Sequence, residues 1–436
     1  MESRLALLLL GLTDTVWRFK LVRRMGDSTR RAVNVVFWTL CIMGGFAILS
    51  STMSKSPVLS PFSTSVGTPT EWSGFVSSAS TIPGILVSLP AASLSDIFGK
   101  RKFLFLAGFV FASAPFFYLF ISVWWQLILV RFYHGFATAI FVPVAEASIA
   151  ELFPTKRGER ISFFTSATYV GRLIAPLLGA SILVATNAGL PYSNFQALYL
   201  AVGVAGVTAL VMALPFLAER RQPTVPPRAE TRETVRHMFS GWGTVVRNRN
   251  ALVVSLVQAC QYYAYGAFEF YLTNYLTVSL HYSLLFPGLV ATCIIGAAVF
   301  VRPYMGRLSD RIGRRTPIVV GCVFSAAPLL VIPFVTDFTV LIFLAVVYGF
   351  GFATVTASTS PLISELVPKE LVGTSMGFLS TTMDVGQTIG PIVSGFILAT
   401  SLQYAGVFPS LAVVVLISCV VFALSGVART RTSKDT

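Results

Sequence analysis

Six charged side chains stand inside otherwise apolar stretches of this sequence, and this setting makes them the first candidates for chemistry: Arg131, Glu146, Arg172, Glu269, Arg302 and Asp384. A charge at the centre of a lipid bilayer costs at least ~2.5–3.5 kcal/mol and is normally paired or functional. Counting about 1.5 Å per helical residue, Arg172 and Asp384 lie near the middle of their stretches, and Arg131 and Glu269 lie nearer one end. The remaining two lie near the other end, where we predict that they belong to an ion-pair layer.

One apolar stretch, residues 251–277, carries an unusually polar stripe. Gln258, Tyr262, Tyr265 and Glu269 follow one another at i, i+4, i+7 and i+11, which places them on one face of a helix. Because such a stripe would be costly against lipid, we predict that it lines an internal cavity. The tyrosines offer an amphipathic wall to ligands with aromatic or apolar parts. An aromatic belt at the membrane surface is the alternative, but Gln258 and Tyr262 lie too deep for it.

The composition of the whole chain indicates an integral membrane protein. Of its 436 residues, 55% are hydrophobic and 11% are charged, against about 25% charged in an ordinary soluble domain. The mean hydropathy of +0.76 excludes a soluble fold and a disordered chain, since neither could hide so much apolar surface. A span needs roughly 20 apolar residues. We therefore predict an all-α protein with twelve transmembrane helices, near residues 33–52, 72–93, 103–123, 125–148, 162–185, 196–218, 251–277, 284–306, 316–336, 339–363, 374–400 and 405–427.

The basic residues predict how these spans are oriented. If the N-terminus is cytoplasmic, nearly all Lys and Arg outside the spans fall in the tails and loops of that side, as the positive-inside rule requires. Lys55 is the one basic residue in the loops of the other side. We interpret the net charge of +14 as a topology signal, and we reject nucleic-acid binding because no soluble basic domain is predicted.

The two halves of the chain repeat each other at a nearly constant distance. Asp96 and Asp310 are 214 residues apart, and the same offset links Glu151 to Glu365. A constant register over most of a half indicates a duplicated bundle with parallel repeats.

The repeated loop carries a signature. Its second copy matches G-x-x-x-D-R-x-G-R-R in full, at Gly306, Asp310, Arg311, Gly313 and Arg314. The first copy keeps Asp96, Gly99 and Arg101 but has Ala92 where Gly is usual and Ile97 where a basic residue is usual. Through this double signature the sequence resembles the major facilitator superfamily of secondary transporters, and within it the 12-span drug/metabolite:proton antiporter-like groups.

Two further motifs carry the same resemblance. Arg131 begins R-x-x-H-G in the fourth span, which looks like the family's second motif. The fifth span contains a pattern similar to the motif associated with antiporters, with Ala175 in place of a Gly, and part of it recurs in the eleventh span. The residues concerned are Gly171, Pro176, Gly179, Gly390 and Pro391.

The resemblance implies two pseudo-symmetric six-helix bundles that rock around a central cavity by alternating access. It also implies gating roles for Asp96 and Asp310, whose carboxylates could accept from the free N–H groups at the start of a neighbouring helix. Gly99 and Gly313 would then permit tight turns between antiparallel spans. The alternative is that these loop residues only set topology. The Gly and Pro residues of the fifth and eleventh spans would bend helices or let them approach closely.

The expected function is secondary active transport of a small organic solute. A G-x-x-x-x-G-K-[ST] motif does not occur, so we expect an ion gradient or the substrate gradient alone, rather than ATP, to drive transport. Glu269 is the first candidate for proton coupling and Asp384 the second, because burial of a carboxylate favours its protonated form while a nearby Arg favours the ionised form. A fixed Arg131–Glu269 ion pair is the alternative. We predict proton-coupled efflux of drugs or metabolites.

Three other functions stay open or are rejected. Uptake of a polar or anionic nutrient is the alternative within transport, since Arg131 and Arg172 could hold a carboxylate or phosphate. A transport-dead sensor of the same fold is a more remote alternative. An enzyme is not predicted, because His134, His237 and His281 are scattered and form no catalytic or metal-binding set.

The predicted organisation has five parts: a cytoplasmic tail (1–32), the first bundle (33–218), a cytoplasmic linker (219–250), the second bundle (251–428) and a cytoplasmic tail (429–436). We predict a monomer in the cell membrane, with both termini cytoplasmic. Its partners would be a small-molecule substrate, protons and membrane lipid, and neither a cofactor nor a metal is expected.

Overall fold

The computed structural model describes residues 27–186, 195–214, 243–368 and 371–427. Within these ranges the description covers only the backbone of residues 27–32 and of Leu89, Ala92, Ser93, Asp96 and Ile97. The predicted tails and most of the predicted linker therefore lie outside the described residues. The described part is built from helices and contains no β-strand, which confirms the predicted all-α fold.

The described part of the first half forms eight helices. They are α1 (Asp27–Met53), α2 (Leu59–Ser65), α3 (Thr70–Ser78), α4 (Ile82–Phe98), α5 (Lys100–Tyr118), α6 (Trp124–Leu152), α7 (Arg157–Thr186) and α8 (Gln196–Ala213). All lie close to the predicted spans except α2, which is a short helix in the loop after α1.

The second predicted span is divided into α3 and α4, a break that the sequence analysis did not predict. Thr81 makes a tight turn, because its N–H and its hydroxyl both donate to the Ser78 carbonyl, at 2.9 and 2.8 Å. Pro83 then stands in the first turn of α4, where a residue without an N–H leaves no helical hydrogen bond unmade. The same proline could not continue α3, because a helix interior needs that N–H.

Six long helices are described in the second half. They are α9 (Arg249–Asn274), α10 (Leu285–Ile312), α11 (Arg315–Val331), α12 (Phe338–Glu365), α13 (Val372–Leu398) and α14 (Gln403–Ser425). Two of them begin at side-chain caps, since Asn248 accepts from Asn250 N and Ala251 N, and Asp337 accepts from Val340 N. Counting α3 and α4 as one interrupted span, the twelve predicted spans are confirmed.

The surface of the bundle is apolar enough to face lipid. Eight of the described helices are both long and apolar enough to cross a membrane. Large apolar side chains are exposed on this surface: Leu424 of α14, Phe120 in the turn after α5 and Phe300 of α10 are 80%, 79% and 70% exposed. A water-soluble monomer rarely exposes apolar surface on this scale.

The antiparallel helices give the molecule two ends. We call the end at which α4, α6, α10 and α12 finish the basic end, because it holds the basic loops around Lys100 and Arg314. The other, which holds Lys55, is called the opposite end. At the basic end, α4 turns into α5 at Gly99 (φ +97°) and α10 turns towards α11 at Gly313 (φ +87°). Such positive φ values strain any residue with a Cβ, so these glycines serve the tight turns predicted for them.

Candidate functional site

The two bundles are joined at the opposite end by an ion pair. Lys55, in the loop after α1, lies 2.9 Å from the Glu269 carboxylate on α9. The two side chains are only 17% and 11% exposed, so the pair is largely removed from solvent. The expected alternative of an Arg131–Glu269 pair is not formed in this structure, because Lys55 takes that place.

A second layer of inter-bundle contacts lies near the same end. The Tyr271 hydroxyl on α9 donates to the Pro391 carbonyl at 2.9 Å and also lies 3.1 Å from the Ser73 hydroxyl on α3. Gly74 faces the same Pro391 carbonyl, where a Cβ would clash. The contact of α3 with α13 therefore needs a residue without a side chain at Gly74.

The third layer lies at the break between α3 and α4. Ser78 Oγ donates to the Thr388 carbonyl on α13 at 2.6 Å, and the hydroxyls of Thr81 and Thr388 lie 2.6 Å apart. One turn below, the Asp384 carboxylate lies against Gly84 of α4, where an added Cβ would be 2.5 Å from Asp384 Oδ2. The interrupted span and α13 are thus closely packed from the opposite end to the middle of the molecule.

The carboxylate of Asp384 is unusual because it makes no hydrogen bond or ion pair with the described residues. Tyr262 on α9 lies within electrostatic range of both Asp384 and Arg172. Arg172, on α7 of the first bundle, is exposed and also within electrostatic range of Tyr265. The two midplane charges predicted from the sequence are therefore brought to the same region, on opposite bundles.

A second line of contact joins α7 to α10. Thr292 Oγ1 donates to the Leu173 carbonyl at 3.4 Å, and Arg302 donates to the Tyr169 hydroxyl. The predicted ion-pair layer containing Arg302 and Glu146 is not formed, since neither side chain has an ion-pair partner among the described residues. Arg302 instead reaches across the bundle boundary to an aromatic residue.

A cavity of about 550 Å³ lies in the basic half of the second bundle. Its wall combines polar side chains with methionine and leucine, and it is contributed by α9, α10, α12 and α13: Gln258, Tyr262, Arg302, Pro303, Gly306, Thr356, Ala357, Ser360, Pro361, Met376, Leu379, Ser380 and Met383. Because the three layers of contact lie between the middle and the opposite end, the structure combines a closed opposite end with a cavity in the basic half.

The polar stripe of α9 is divided between this cavity and the packed core. Gln258 and Tyr262 stand in the cavity wall, and Gln258 also accepts a 2.5 Å hydrogen bond from Thr359 of α12. Tyr265 stacks on Phe352 with ring centroids 4.8 Å apart, which packs α9 on α12. Glu269 belongs to the closed opposite end.

Arg131 occupies a place that differs from the expectation. It is 1% exposed, and its guanidinium donates to the Ser77 carbonyl at 3.3 Å and to the Ser80 hydroxyl at 2.6 Å. Both acceptors belong to the break between α3 and α4. In this structure Arg131 therefore does not line the cavity, and its contacts stabilise the interrupted span that closes the opposite end.

The loop signature forms ion pairs within each bundle rather than across them. Arg314 bonds Asp310 at 2.5 Å, Glu365 at 2.8 Å and the Ser309 hydroxyl at 2.6 Å. Asp310 therefore pairs with a side chain one turn away, and the expected acceptance from the start of a neighbouring helix is not observed. Arg311 is exposed, and Gly306 lines the cavity.

The same ion pair recurs in the first bundle at the repeat distance. Lys100 pairs with Glu151, and adding 214 to each number gives Arg314 and Glu365. Arg101 also has an interaction partner. The side chain of Asp96 lies outside the described residues, so its expected gating role stays a prediction.

The glycines of the fifth and eleventh spans bring helices into close contact. Gly171 of α7 faces the Gly45 carbonyl of α1, and Gly390 of α13 faces the Tyr263 carbonyl of α9, each at a distance that excludes a Cβ. Gly179 packs less tightly, since an added Cβ would lie 3.0 Å from the Met53 side chain. Pro176 and Pro391 lie inside their helices, where the first contacts Gly288 of α10 through its carbonyl and the second accepts from Tyr271.

Sequence reasoning missed the parts that Lys55, Tyr169 and Glu365 play. Lys55 could have been suspected, because it is the one basic residue in the loops of its side. The 214-residue offset shows that Lys100 and Glu151 correspond to Arg314 and Glu365, which places a basic and an acidic residue at matching positions of both halves. That match could have suggested the Arg314–Glu365 pair. No signal in the sequence marks Tyr169, since an aromatic residue in an apolar span is ordinary.

Comparisons with known proteins agree with this architecture. The family model described as Major Facilitator Superfamily matches residues 35–299 and 254–436. A multi-drug resistance efflux pump PmrA homolog of Lactococcus lactis is 25% identical over 332 residues, which cover 72% of this chain and 78% of that protein. The probable galactarate/D-glucarate transporter GarP of Escherichia coli is 25% identical over 466 aligned residues, covering 94% and 99%.

A solved structure shares the fold. It is that of a bacterial homolog of the human lysosomal transporter Spinster in an inward-facing, unoccupied conformation. The two superpose with a TM-score of 0.75 at 14% identity, covering 92% of this chain and 99% of the other. At this identity the likeness concerns the fold alone.

Proposed function

The chain belongs to the Major Facilitator Superfamily, and on that premise we propose that it couples the movement of protons to the transport of a small organic solute across the cell membrane. The observation that carries the proposal is the asymmetry of the molecule, with three layers of contact at the opposite end and a cavity of about 550 Å³ in the basic half. This is the arrangement expected of one state of an alternating-access cycle. The basic end would be cytoplasmic by the positive-inside rule.

Proton coupling is assigned in this proposal to Asp384. Its carboxylate lies against Gly84 on the other bundle and has no partner among the described residues, so its charge acts directly on the contact between bundles. Protonation would remove a poorly solvated charge from that contact and favour closure. Glu269, the first candidate from the sequence, is paired with Lys55 and is assigned to the gate instead.

The charge of the solute would decide the direction of coupling. A neutral or cationic solute that needs the ionised Asp384 competes with the proton, which gives exchange and therefore efflux, the function expected from the sequence. The printed name of the Lactococcus relative supports this form.

A second form is uptake of an organic anion together with a proton, and Arg172 favours it. This arginine is exposed and lacks a carboxylate partner among the described residues, while Asp384 lies across Tyr262. An anion near Arg172 and a proton on Asp384 would favour each other's binding, because protonation removes a negative charge from the region. The printed name of the E. coli relative supports this form.

Flux in proteoliposomes tests the proposal. Purified protein would be reconstituted around the pH indicator pyranine and offered ethidium or D-glucarate with and without an imposed pH gradient. We expect flux of one probe to respond to the gradient, with opposite signs of proton movement for exchange and cotransport. Asp384→Asn should keep counterflow of the same probe and lose the response to pH. Wild-type flux that ignores the pH gradient would contradict proton coupling.

A further inference from the structure

Tyr169 stands between two guanidinium groups that come from different bundles. The Arg172 Cζ lies 5.6 Å from the centroid of its ring, and the Arg302 Cζ lies 5.3 Å from the same centroid. Arg302 also donates to the Tyr169 hydroxyl. Arg172 and Tyr169 are on α7, whereas Arg302 reaches them from α10.

The arginines of this cluster have no carboxylate paired with them in the described part of the chain. Neither arginine forms an ion pair with a described residue, and the Nε of Arg302 is buried without a hydrogen-bond partner. Burying a cation without a counter-charge is unfavourable by several kcal/mol in a low-dielectric interior. A guanidinium keeps its charge under almost any condition, so the arrangement calls for an anion.

The cluster is also reachable by a solute. Arg302 is part of the wall of the 550 Å³ cavity, together with Gln258 and Tyr262. Arg172 is exposed and lies within electrostatic range of the same Tyr262. A small molecule in the cavity could therefore place a negative group at the arginines and its remaining part against Gln258, Tyr262 and the methionines.

We propose that Arg172, Tyr169 and Arg302 form a binding site for the carboxylate or phosphate group of a solute, held across the boundary between the bundles. The planar guanidinium fork of Arg302 can hold such a group in a bidentate manner. Its Nε has no hydrogen-bond partner among the described residues. The inference rests on the proposed transport function. It narrows the substrate class to organic anions and therefore favours cotransport over exchange. Arg302 takes the role expected from the sequence for Arg131, which is sequestered at the break between α3 and α4.

Binding to the purified protein tests this site without any measurement of flux. Benzoate, D-glucarate and glycerol 3-phosphate would be titrated by isothermal calorimetry, with benzamide as the uncharged analogue of benzoate. We expect saturable binding of at least one anion and none of benzamide. Arg302→Gln and Arg172→Gln should each weaken binding roughly tenfold to hundredfold, the loss of one charge-assisted hydrogen-bonded contact.

Two variants guard against misinterpretation. Arg307→Gln removes an exposed arginine of the same helix, five residues further on, and should bind as the wild type does. Arg302→Lys keeps the charge but loses the fork, so it should fold and bind with intermediate affinity. If Arg302→Gln elutes as aggregate in size-exclusion chromatography, the Arg302→Lys measurement decides.

The source of the anion is tested in the same system. Titrations in phosphatidylcholine nanodiscs would be repeated in nanodiscs that contain phosphatidylglycerol. If this anionic lipid competes with the titrated anion, a lipid headgroup is the occupant, and the assignment to a solute is overturned. Three other outcomes would also overturn it. They are binding of benzamide as tight as that of benzoate, unchanged anion affinity in both arginine variants, and no binding of any of the three anions at millimolar concentration. A transport failure with intact anion binding would count against the proposed function and leave the site standing.

Discussion

Lys55 and Glu269 join the two bundles across 2.9 Å at the opposite end of the molecule. Lys55 belongs to the loop that follows the first span, and Glu269 to the helix that begins the second half, so the pair closes the molecule where the cavity does not open. Because both side chains are mostly buried, the attraction is stronger than that of a surface pair.

Glu269→Gln should loosen this end by about 1–3 kcal/mol, because it leaves the Lys55 ammonium without its charged partner. Ser122 and Thr400 are exposed loop residues of the two bundles at this end. Spin labels on cysteines replacing them would report the distance between the bundles by double electron–electron resonance. We expect a larger population of long distances in the variant. The exchanged pair Lys55→Glu with Glu269→Lys should return the distribution towards that of the wild type, and a failure of Glu269→Gln to change it would remove the pair from the gate.

Gly84→Ala should destabilise the closed opposite end, since the added Cβ would lie 2.5 Å from Asp384 Oδ2. The same spin-label pair should shift to longer distances, although alanine favours a helix by about 1 kcal/mol over glycine. Gly373→Ala, on α13 with open space around it, is the matched control and should leave the distances unchanged. Equal behaviour of the two variants would mean that the Asp384–Gly84 contact does not restrain the bundles.

Arg131 and Arg172 should respond differently to truncation. Arg131→Ala removes two hydrogen bonds at the break between α3 and α4 and should lower the midpoint of thermal unfolding, with a loss of about 1–3 kcal/mol. Arg172→Ala removes an exposed cation and should leave that midpoint nearly unchanged while reducing solute flux. Thermal unfolding and proteoliposome flux measured on both variants would check the contrast, which the reverse pattern would refute.

Arg314→Ala should destabilise the basic end more than substitution of either of its carboxylate partners. Asp310 and Glu365 are 60% and 52% exposed, so Asp310→Asn or Glu365→Gln should cost no more than about 1 kcal/mol. Arg314 in addition bonds the buried Ser309 hydroxyl at 2.6 Å. Denaturation of the three variants would rank them, and a larger loss in Asp310→Asn than in Arg314→Ala would contradict this ranking.

The orientation in the membrane is tested by labelling. In a background without native cysteines, a cysteine replacing exposed Arg247 should resist an impermeant maleimide applied to intact cells, because the basic end should be cytoplasmic. A cysteine replacing Ser122 should react, and permeabilised cells should label both. Labelling of the Arg247 position from outside would reverse the assigned orientation.

The class of fold follows from the sequence alone. Apolar runs of about 20 residues can satisfy their backbone groups in a bilayer only as helices, so the twelve spans follow from local composition. The 214-residue repeat likewise revealed the two bundles, and it placed Lys100, Glu151, Arg314 and Glu365 in equivalent positions. The stripe of α9 was visible for the same reason, since helical periodicity is a local property.

Which charged side chains meet depends on the packing of helices that are distant in the sequence. Lys55 and Glu269 are more than two hundred residues apart, and Tyr169 is separated from Arg302 by more than a hundred. Such pairs depend on how whole helices are rotated and shifted against each other, which is set by close contacts such as Gly171 on Gly45 and Gly390 on Tyr263. The break at Thr81 also follows from long-range contacts, because Arg131 and Thr388 supply its partners from other helices. A charged residue in a span can be recognised from sequence as costly, but its partner is chosen by packing.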